Sequence, residues 1–333
     1  MKVCLYLEGG KLLAQSGIGN AIRLQKKALE KAGVEYTLDP EDDWDIIHIN
    51  TIGPKSMFMA KKAHMDGKKV ITHAHTLDVD TANSFRGMNT VMPLFRMYIK
   101  YLYNQADHIV CPTEYAKGVL ESWHVKPPVT AVSNGVDLGT YRFDEGKRRD
   151  YRRKYGLKGI VPFSVGHVFV RKGIGTFARV ARDFDNQFMW FGKLYSKLLV
   201  GSKEVEDVLT NPPENVTFTG YVDDIVAAYC AGDIFFFPTL AETQGIVILE
   251  AWATERPVLI RDLPVFKGWT EDGKDCLKAK DDKDFSEKLG ILMEDAALRR
   301  KLVKGGSRSV KEHSLDKIGA KLKGIYEGVL HED

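Results

Sequence analysis

The sequence predicts an α/β protein with two domains of similar size, each built on a doubly wound parallel sheet. The chain has 333 residues, more than one typical hydrophobic core accommodates. Short apolar runs alternate with helical stretches in the first half, and a second such series begins near Val161. Parallel strands joined by helices are covered on both faces, so their sequences read as short, continuous apolar segments. The repeated alternation therefore predicts two such sheets.

The two series define the strands in order. The first predicts strands at 3–7, 46–49, 69–72 and 108–111, and the second at 161–165, 187–191, 216–219, 234–237 and 257–260. In open parallel sheets, ligands bind beyond the carboxyl ends of the strands. The loops that follow these runs are therefore the expected positions of the functional residues.

A polar, mainly basic segment from Asp137 to Lys158 separates the two series. We expect the linker near Phe143, which gives an N-terminal domain at 1–142 and a C-terminal domain at 143–313. A last helical segment follows at 314–333.

Charge and cysteine content exclude several classes of protein. The 48 basic and 45 acidic residues nearly balance, which argues against a nucleic-acid partner. The four cysteines are far apart and form no CxxC pair, so neither a zinc site nor a disulfide framework is expected. The first residues run directly into a strand, and no run approaches the length of a membrane span. These features predict a cytoplasmic protein.

The segment 235–251 contains two separated carboxylates. A buried strand ends at Pro238, Glu242 lies in the loop that follows, and Glu250 is expected about two turns inside the next helix. Thr243 is predicted to be the N-cap of that helix. The N–H groups of Gln244, Gly245 and Ile246 would then face an anion, and the helix dipole would add to the attraction. A diphosphate fits this pattern, whereas the alternative is a surface Glu followed by a helix Glu.

A glycine-containing loop follows the first strand of each domain. Gly17 and Gly19 open a helix, and their small size permits close approach of a ligand, although a tight turn is an equal alternative. In the second domain, Gly166 and His167 precede the adjacent cations Arg171 and Lys172. Two fixed positive charges suit a departing diphosphate when no metal assists, while the simpler alternative is a solvated pair.

Two histidines, His73 and His75, occur just after a predicted strand. Their i, i+2 spacing permits a metal site on one strand face, but no third ligand follows at a suitable spacing. No metal is therefore predicted, and one of the two histidines is a candidate for contact with a ligand beyond the end of the strand.

The spacing Glu242-x7-Glu250 resembles the motif of retaining glycosyltransferases of family 4. Membership of that family implies the GT-B fold, in which two Rossmann-like doubly wound domains face a central cleft. The resemblance assigns Glu242 to the hydroxyls of the donor sugar and Glu250 to the ribose. It also implies that the N-terminal domain binds the acceptor, that the C-terminal domain binds the nucleotide sugar, and that the final helix crosses back to the N-terminal domain.

The resemblance extends to the other loops. Lys172 matches the cation that neutralises the leaving diphosphate, while His167 replaces the usual Arg and makes Arg171 its substitute. His75 matches the histidine that contacts the donor sugar, Gly17 and Gly19 lie beside the phosphates, and Tyr221 lies in the loop on the base side. No cofactor is implied beyond the donor substrate, a UDP-hexose, and retention follows from front-face substitution without a protein nucleophile.

The acceptor is suggested by the segment 83–103. Arg86 lies in a Ser-Phe-Arg sequence, and the helix after it carries Arg96 and Lys100 at i, i+4. Its apolar residues, Phe95, Tyr98, Ile99 and Leu102, suit either an anionic bilayer surface or the domain core. The Ser-Phe-Arg sequence and the Arg171-Lys172-Gly173 loop together resemble those of bacterial diacylglycerol glycosyltransferases and diglycosyl-diacylglycerol synthases. This resemblance implies peripheral binding to the inner face of the cell membrane.

The sequence thus predicts a retaining, metal-independent transferase that moves glucose or galactose from a UDP-sugar to diacylglycerol or a monoglycosyl-diacylglycerol. A family 4 enzyme with a soluble sugar or glycan acceptor is the first alternative. The second is a noncatalytic protein that binds sugar nucleotides or membranes, suggested by His167 in place of the usual Arg.

Overall fold

The computed structural model describes residues 1–10, 17–77, 88–194 and 202–331. The chain divides into two compact units. The first comprises Met1–Asp80, Thr90–Asp137 and His313–Asp333, and the second is mainly Leu138–Glu312. The boundary between the N-terminal part of the first unit and the second unit thus falls after Asp137, whereas the sequence predicts it after Arg142.

The first unit is a parallel sheet of six strands covered by helices. Its strands are β1 (Lys2–Tyr6), β2 (Glu35–Thr37), β3 (Ile46–Ile49), β4 (Lys69–His73), β5 (His108–Cys111) and β6 (Val129–Ala131), in the order β2-β1-β3-β4-β5-β6. Its helices are α1 (Gly17–Lys31), α2 (Pro54–Met65), α3 (Met88–Tyr103) and α4 (Glu114–Ser122). Every pair of neighbouring strands is parallel, so the loops after β1, β3 and β4 share one edge of the sheet.

The second unit repeats this architecture. Its strands are β7 (Pro162–Val165), β8 (Phe188–Phe191), β9 (Val216–Phe218), β10 (Ile234–Phe237), β11 (Val258–Arg261) and β12 (Leu277–Ala279), in the order β12-β11-β10-β7-β8-β9. Its helices are α5 (Glu145–Tyr155), α6 (Ile174–Ala181), α7 (Lys203–Thr210), α8 (Ile225–Ala231), α9 (Ile246–Ala253), α10 (Asp282–Glu294) and α11 (Ala296–Ser309). Short 3-10 helices occur at Val170–Lys172, Pro264–Phe266 and Val310–His313.

Strand β10 lies between β7 and β11, and its four residues are fully buried. Phe235 is in register with Phe163 of β7 and with Val258 of β11. On one face of the sheet, Phe177 of α6 stacks on Phe236 at 5.2 Å between ring centroids. Because β7 and β10 are neighbouring parallel strands, the loops that follow them emerge side by side.

The last helix, α12 (Leu315–His331), packs against α1 in the first unit. Gly319 permits this approach, because a Cβ at that position would overlap the carbonyl oxygen of Ala28. Lys31 and Asp316 form an ion pair at 2.9 Å on the exposed side. On the buried side, the Tyr326 hydroxyl lies 2.7 Å from Nδ1 of His48 on β3. The end of the chain is thereby tied to the centre of the first sheet.

Candidate functional site

The loops after β7 and β10 are locked together by hydrogen bonds and by close packing. The carbonyl oxygen of Arg171 accepts from the Leu240 N–H at 2.7 Å and from the Thr239 hydroxyl at 2.9 Å. Gly173 has φ +76°, and a Cβ there would overlap the carbonyl oxygen of Pro238. Only glycine combines this backbone conformation with this approach. The two loops therefore hold their side chains in fixed relative positions.

Glu242 and Lys172 meet at this junction as a buried ion pair. The Lys172 ammonium donates to Oε1 of Glu242, and the same oxygen accepts from the Thr239 hydroxyl at 2.9 Å. Nη1 of Arg171 lies 3.9 Å from it. Burial opposes ionisation of Glu242, but the charges of Lys172 and Arg171 hold its pKa below the ordinary value. Glu242 is therefore a carboxylate that acts only as a hydrogen-bond acceptor.

Lys172 is held by packing as well as by charge. Its ammonium lies 5.4 Å from the ring centroid of Phe237, the last residue of β10, and only 13% of its side chain is exposed. Gly166 follows β7 directly, and its carbonyl accepts from Nε1 of Trp190 at 2.8 Å. His167, next in the chain, is half-buried, with its ring centroid 6.2 Å from that of Phe169. The predicted cation and its glycine lie close together, since a Cβ at Gly166 would be 3.9 Å from Cδ of Lys172.

The prediction for the start of the next helix was wrong in its details. Helix α9 is capped by Gly245, which has φ +82°, and Thr243 lies outside it. The left-handed conformation of Gly245 delays the first helical residue to Ile246. Consequently Glu250 lies about one turn inside α9, where two turns were expected. Gln244 and Gly245 are both buried.

Glu250 is buried and bound by a tyrosine. The hydroxyl of Tyr229 on α8 donates to Oε2 of Glu250 at 2.7 Å. Burial and the neighbouring carboxylate raise the pKa of Tyr229 well above its ordinary value, so this hydroxyl keeps its proton. Tyr229 therefore fixes the orientation of the second carboxylate of the Glu-x7-Glu pair.

His75 lies just beyond β4 in the first unit. Its ring stacks on that of His73 at 3.8 Å between centroids, and its Nε2 lies 3.1 Å from Oδ1 of Asn50. His73 in turn stacks on His48 at 5.4 Å. Burial lowers the pKa of His75 to about 3. His75 is therefore a neutral imidazole at physiological pH, able to donate one hydrogen bond and to accept another.

The remaining predicted residues occupy several elements. Gly17 and Gly19 lie in the first turn of α1. Apart from its chain neighbours and its own helix backbone, no atom of the described residues lies within 4 Å of the position a Cβ would take at Gly17. Tyr221 follows β9 and is 55% exposed. Arg96 and Lys100 are on α3, whereas Arg86 lies outside the described residues.

The apolar residues of α3 that were candidates for contact with a bilayer face the core of the first unit. Ile99 and Leu102 are fully or almost fully buried, and Phe95 and Tyr98 pack against the same cluster. The exposed apolar residues are instead Leu94, Met97 and Tyr101, at 66%, 65% and 48%. Their i, i+3, i+7 spacing forms a second stripe. The sequence could not distinguish the two stripes because both are apolar.

Sequence reasoning missed four residues that support candidate residues, namely Asn50 in the first unit and Tyr229, Thr239 and Arg261 in the second. Arg261 donates to the carbonyl oxygen of Thr239 at 3.2 Å and to the Thr176 hydroxyl at 3.0 Å. Thr239 was recognisable as a polar residue directly after Pro238, the end of the strand run. The other three are distant in sequence from the motifs they support, and no local signal identifies them.

Within residues 1–10, 17–77, 88–194 and 202–331, no three His, Cys, Asp or Glu side chains are grouped as a metal site would require. In the same ranges, no helix combines the length and the apolar character needed to span a bilayer.

The two units, each a parallel sheet of six strands covered by helices, have the architecture expected of the GT-B fold. The structure superposes on sucrose-phosphate synthase from Thermosynechococcus elongatus with a TM-score of 0.83, at 17% identity and with 99% of each chain covered. It superposes on Anabaena HepE in complex with UDP and glucose with a TM-score of 0.79, at 15% identity, covering 98% of this chain and 100% of that chain. The predicted GT-B fold is confirmed.

Sequence comparison then gives the family. Residues 163–295 match the family described as glycosyl transferases group 1, and residues 16–140 match glycosyltransferase family 4. The processive diacylglycerol alpha-glucosyltransferase of Acholeplasma laidlawii is 37% identical over 99% of both chains. The alpha-galactosylglucosyldiacylglycerol synthase of Streptococcus pneumoniae is 24% identical over 78% of this chain and 72% of that one. The chain belongs to glycosyltransferase family 4 and is a hexosyltransferase, as the sequence analysis predicted.

Proposed function

We propose that this enzyme transfers glucose or galactose from a UDP-sugar, with retention of configuration, to diacylglycerol or a monoglycosyl-diacylglycerol at the inner face of the cell membrane. The observation that carries the proposal is the 37% identity, over 99% of both chains, to an enzyme named as a diacylglycerol alpha-glucosyltransferase. The charges and surfaces described above supply the physical reasons.

The donor diphosphate would bind beside Lys172 and Arg171. An ammonium has three N–H donors, so Lys172 can keep its bond to Glu242 and donate to a phosphate oxygen as well. Negative charge grows on the diphosphate as the sugar leaves, and fixed positive charge stabilises that state without reorganisation. Arg171, whose guanidinium lies 3.9 Å from Glu242, would add a second charge and compensate for His167.

The sugar and the ribose would each bind one carboxylate. Because Glu242 is ionised, it can accept hydrogen bonds from hydroxyls of the hexose but donates none. Glu250 would accept from the ribose hydroxyls while Tyr229 holds one of its oxygens. His75, being neutral, would exchange hydrogen bonds with a sugar hydroxyl without adding charge. The reaction would proceed by front-face substitution, with Glu242 as a binding group.

The membrane surface would be bound by the exposed stripe of α3. Leu94, Met97 and Tyr101 supply apolar area, and Arg96 and Lys100 lie along one side of the stripe. This combination is typical of helices that lie in an anionic bilayer interface. Helix α2 lies beside the stripe, since Nζ of Lys61 is 5.6 Å from the ring centroid of Tyr101, and Phe58 on the same helix is 66% exposed.

The test is to incubate the purified protein with UDP-glucose or UDP-galactose and with diacylglycerol, glucosyl-diacylglycerol or soluble sugars, and to determine product mass and anomeric configuration. An α-linked glycolipid is expected, because donor and product would share the α configuration. Transfer to soluble sugars alone would show that the acceptor is a soluble sugar or glycan and not a lipid. Absence of transfer with every pair would contradict the proposal.

A further inference from the structure

A cavity of about 660 Å³ opens at the edge of the second sheet opposite the candidate sugar-nucleotide site. Ile160, Asp233 and Pro257 line it, and they lie one or two residues before β7, β10 and β11. Lys172 and Glu242 instead follow β7 and β10. Since the strands are parallel, residues before and after them lie at opposite edges of the sheet. The cavity is thus separate from the donor site, and its volume is in the range of small-molecule sites.

The outer wall of this cavity is a row of cations. Arg300, Lys304 and Arg308 of α11 and the following Lys311 line it. The spacing of four, four and three residues places them on one face of the helical segment. All four are exposed, and none takes part in an ion pair among the described residues. Like charges at i, i+4 destabilise a helix, so this row lowers the stability of α11. A bound anion would remove that repulsion.

The acids at the cavity do not neutralise the row. Asp233 is held by two arginines outside it, Arg148 at 2.6 Å and Arg152 at 2.9 Å. Glu255 is the other acid in the lining, and it lies exposed at the rim. The cavity therefore keeps an excess of positive charge.

A further guanidinium lines the cavity. Arg256 donates to the carbonyl oxygens of Gly232 at 2.9 Å and Thr254 at 3.0 Å. Burial, together with the nearby charge of Arg148, lowers the pKa of Arg256. An anion in the cavity would offset both effects and stabilise the charged guanidinium.

We propose that this cavity binds a phosphate-bearing anion. Guanidinium and ammonium groups that converge on one space match the several oxygens of a phosphate, whereas a single carboxylate would use only part of them. A cavity of this volume accommodates more than one phosphate group. The ligand is either a soluble phosphorylated compound or the headgroup of an anionic phospholipid, because both present the same phosphate chemistry.

Amide hydrogen exchange of residues 296–311 tests the proposal locally, since a ligand in the donor site does not touch this helix. Inorganic pyrophosphate is titrated into the intact protein. Exchange in α11 is expected to slow in a saturable manner. Lys304→Glu should weaken the apparent affinity by roughly tenfold or more, as expected for the loss of a charge-assisted hydrogen bond. Lys301→Glu is the matched control, because Lys301 is exposed on the same helix but does not line the cavity.

A second titration with phosphatidylglycerol vesicles, compared with phosphatidylcholine vesicles, identifies the source of the phosphate. Protection of α11 by pyrophosphate assigns the cavity to a soluble ligand. Protection by phosphatidylglycerol alone assigns it to a lipid headgroup. The proposal is overturned if neither probe protects α11, or if Lys301→Glu and Lys304→Glu weaken protection equally, which would indicate attraction to general surface charge.

Discussion

At the scale of single residues, the ion pair of Lys172 and Glu242 compensates two buried charges and also fixes the position of the lysine. Each charge is buried, and a buried charge is tolerated when an opposite charge and hydrogen bonds compensate it. Thr239 and Arg171 complete that compensation. The lysine is consequently fixed before any substrate arrives, and fixed charge is what stabilises a developing diphosphate.

Replacing Lys172 by alanine should lower the turnover number by about 10²-fold, the typical effect of losing one preorganised charge contact in an active site. The loss should appear in kcat with saturating donor and acceptor, while far-UV circular dichroism shows an intact fold. Lys280→Ala, which removes an exposed lysine of the same unit, is the control. Turnover within a few fold of the unmodified enzyme would remove Lys172 from the proposed mechanism.

The close approach of the two loops at Gly173 gives a second prediction. Gly173→Ala should reduce the free energy of unfolding by about 2 kcal/mol or more, because the methyl group meets the Pro238 carbonyl as well as an unfavourable backbone conformation. Gly156→Ala is the matched control, since Gly156 has φ +63° and its Cβ would meet no atom within 4 Å. It should lose only about 1 kcal/mol. Equal losses in urea denaturation would show that the loop contact contributes nothing.

Much of this residue-scale chemistry could be predicted from sequence. Glu242, Glu250 and Lys172 were recognisable because each lies in a loop or helix directly after an apolar strand. The N-cap was not, because Thr243 has the preferred side chain while Gly245 has the required backbone conformation. Tyr229 was not predictable either, since its hydrogen bond to Glu250 depends on where the fold places α8 and α9.

At the scale of elements, the buried strands could be predicted from sequence, whereas the partly exposed ones could not. The runs at 46–49, 108–111 and 234–237 coincide with β3, β5 and β10, whose residues are almost all buried. The missed strands β2, β6 and β12 have three residues each. They are half-buried or exposed at most positions and lie at or next to the edges of the sheets. Such strands carry no continuous apolar run, so periodicity cannot detect them.

The stack of His48, His73 and His75 joins β3 and β4 and makes the first unit sensitive to acid. Burial lowers the pKa of His48 and His75 to about 3 and lowers that of His73 as well. The unfolded chain takes up protons on these residues below about pH 6.5, whereas in the folded chain His48 and His75 resist protonation until about pH 3 and His73 also resists it. Their stabilising effect is therefore complete above pH 6.5 and is lost as the pH falls toward 3.

Between pH 6 and 5, the free energy of unfolding should fall by up to about 1.4 kcal/mol per pH unit for each of these histidines. His73→Phe should make this slope shallower by the contribution of one histidine, up to about 1.4 kcal/mol per pH unit. It should not reduce stability at pH 7.5, because both ring nitrogens of His73 are buried without a hydrogen-bond partner among the described residues. His124→Gln, at an exposed position, should leave the slope unchanged. Identical slopes in all three proteins would exclude the stack as the source.

At the scale of the whole molecule, the proposed reaction requires a protein with a polar donor site to reach an acceptor held in a bilayer. In the proposed function, the exposed stripe of α3 would reach the bilayer, while its other stripe anchors the helix to the core through Ile99 and Leu102. A helix held in this way presents Leu94 and Met97 without first having to fold, so little conformational entropy is lost on binding.

The membrane proposal predicts that Arg96→Glu with Lys100→Glu weakens binding to anionic liposomes by about two orders of magnitude, since each basic residue near such a surface contributes about 1 kcal/mol and its reversal adds repulsion. Lys267→Glu with Lys301→Glu changes the net charge equally at exposed positions of the second unit and should have little effect. Binding of UDP, measured by calorimetry, should be unchanged in both double variants, which separates the membrane surface from the donor site. Leu94→Ser with Met97→Ser should also weaken liposome binding, and this loss should persist in high salt, where the electrostatic contribution is screened. If the Arg96 and Lys100 variant binds liposomes as the unmodified protein does, α3 is a core helix with an exposed face and another surface must reach the lipid.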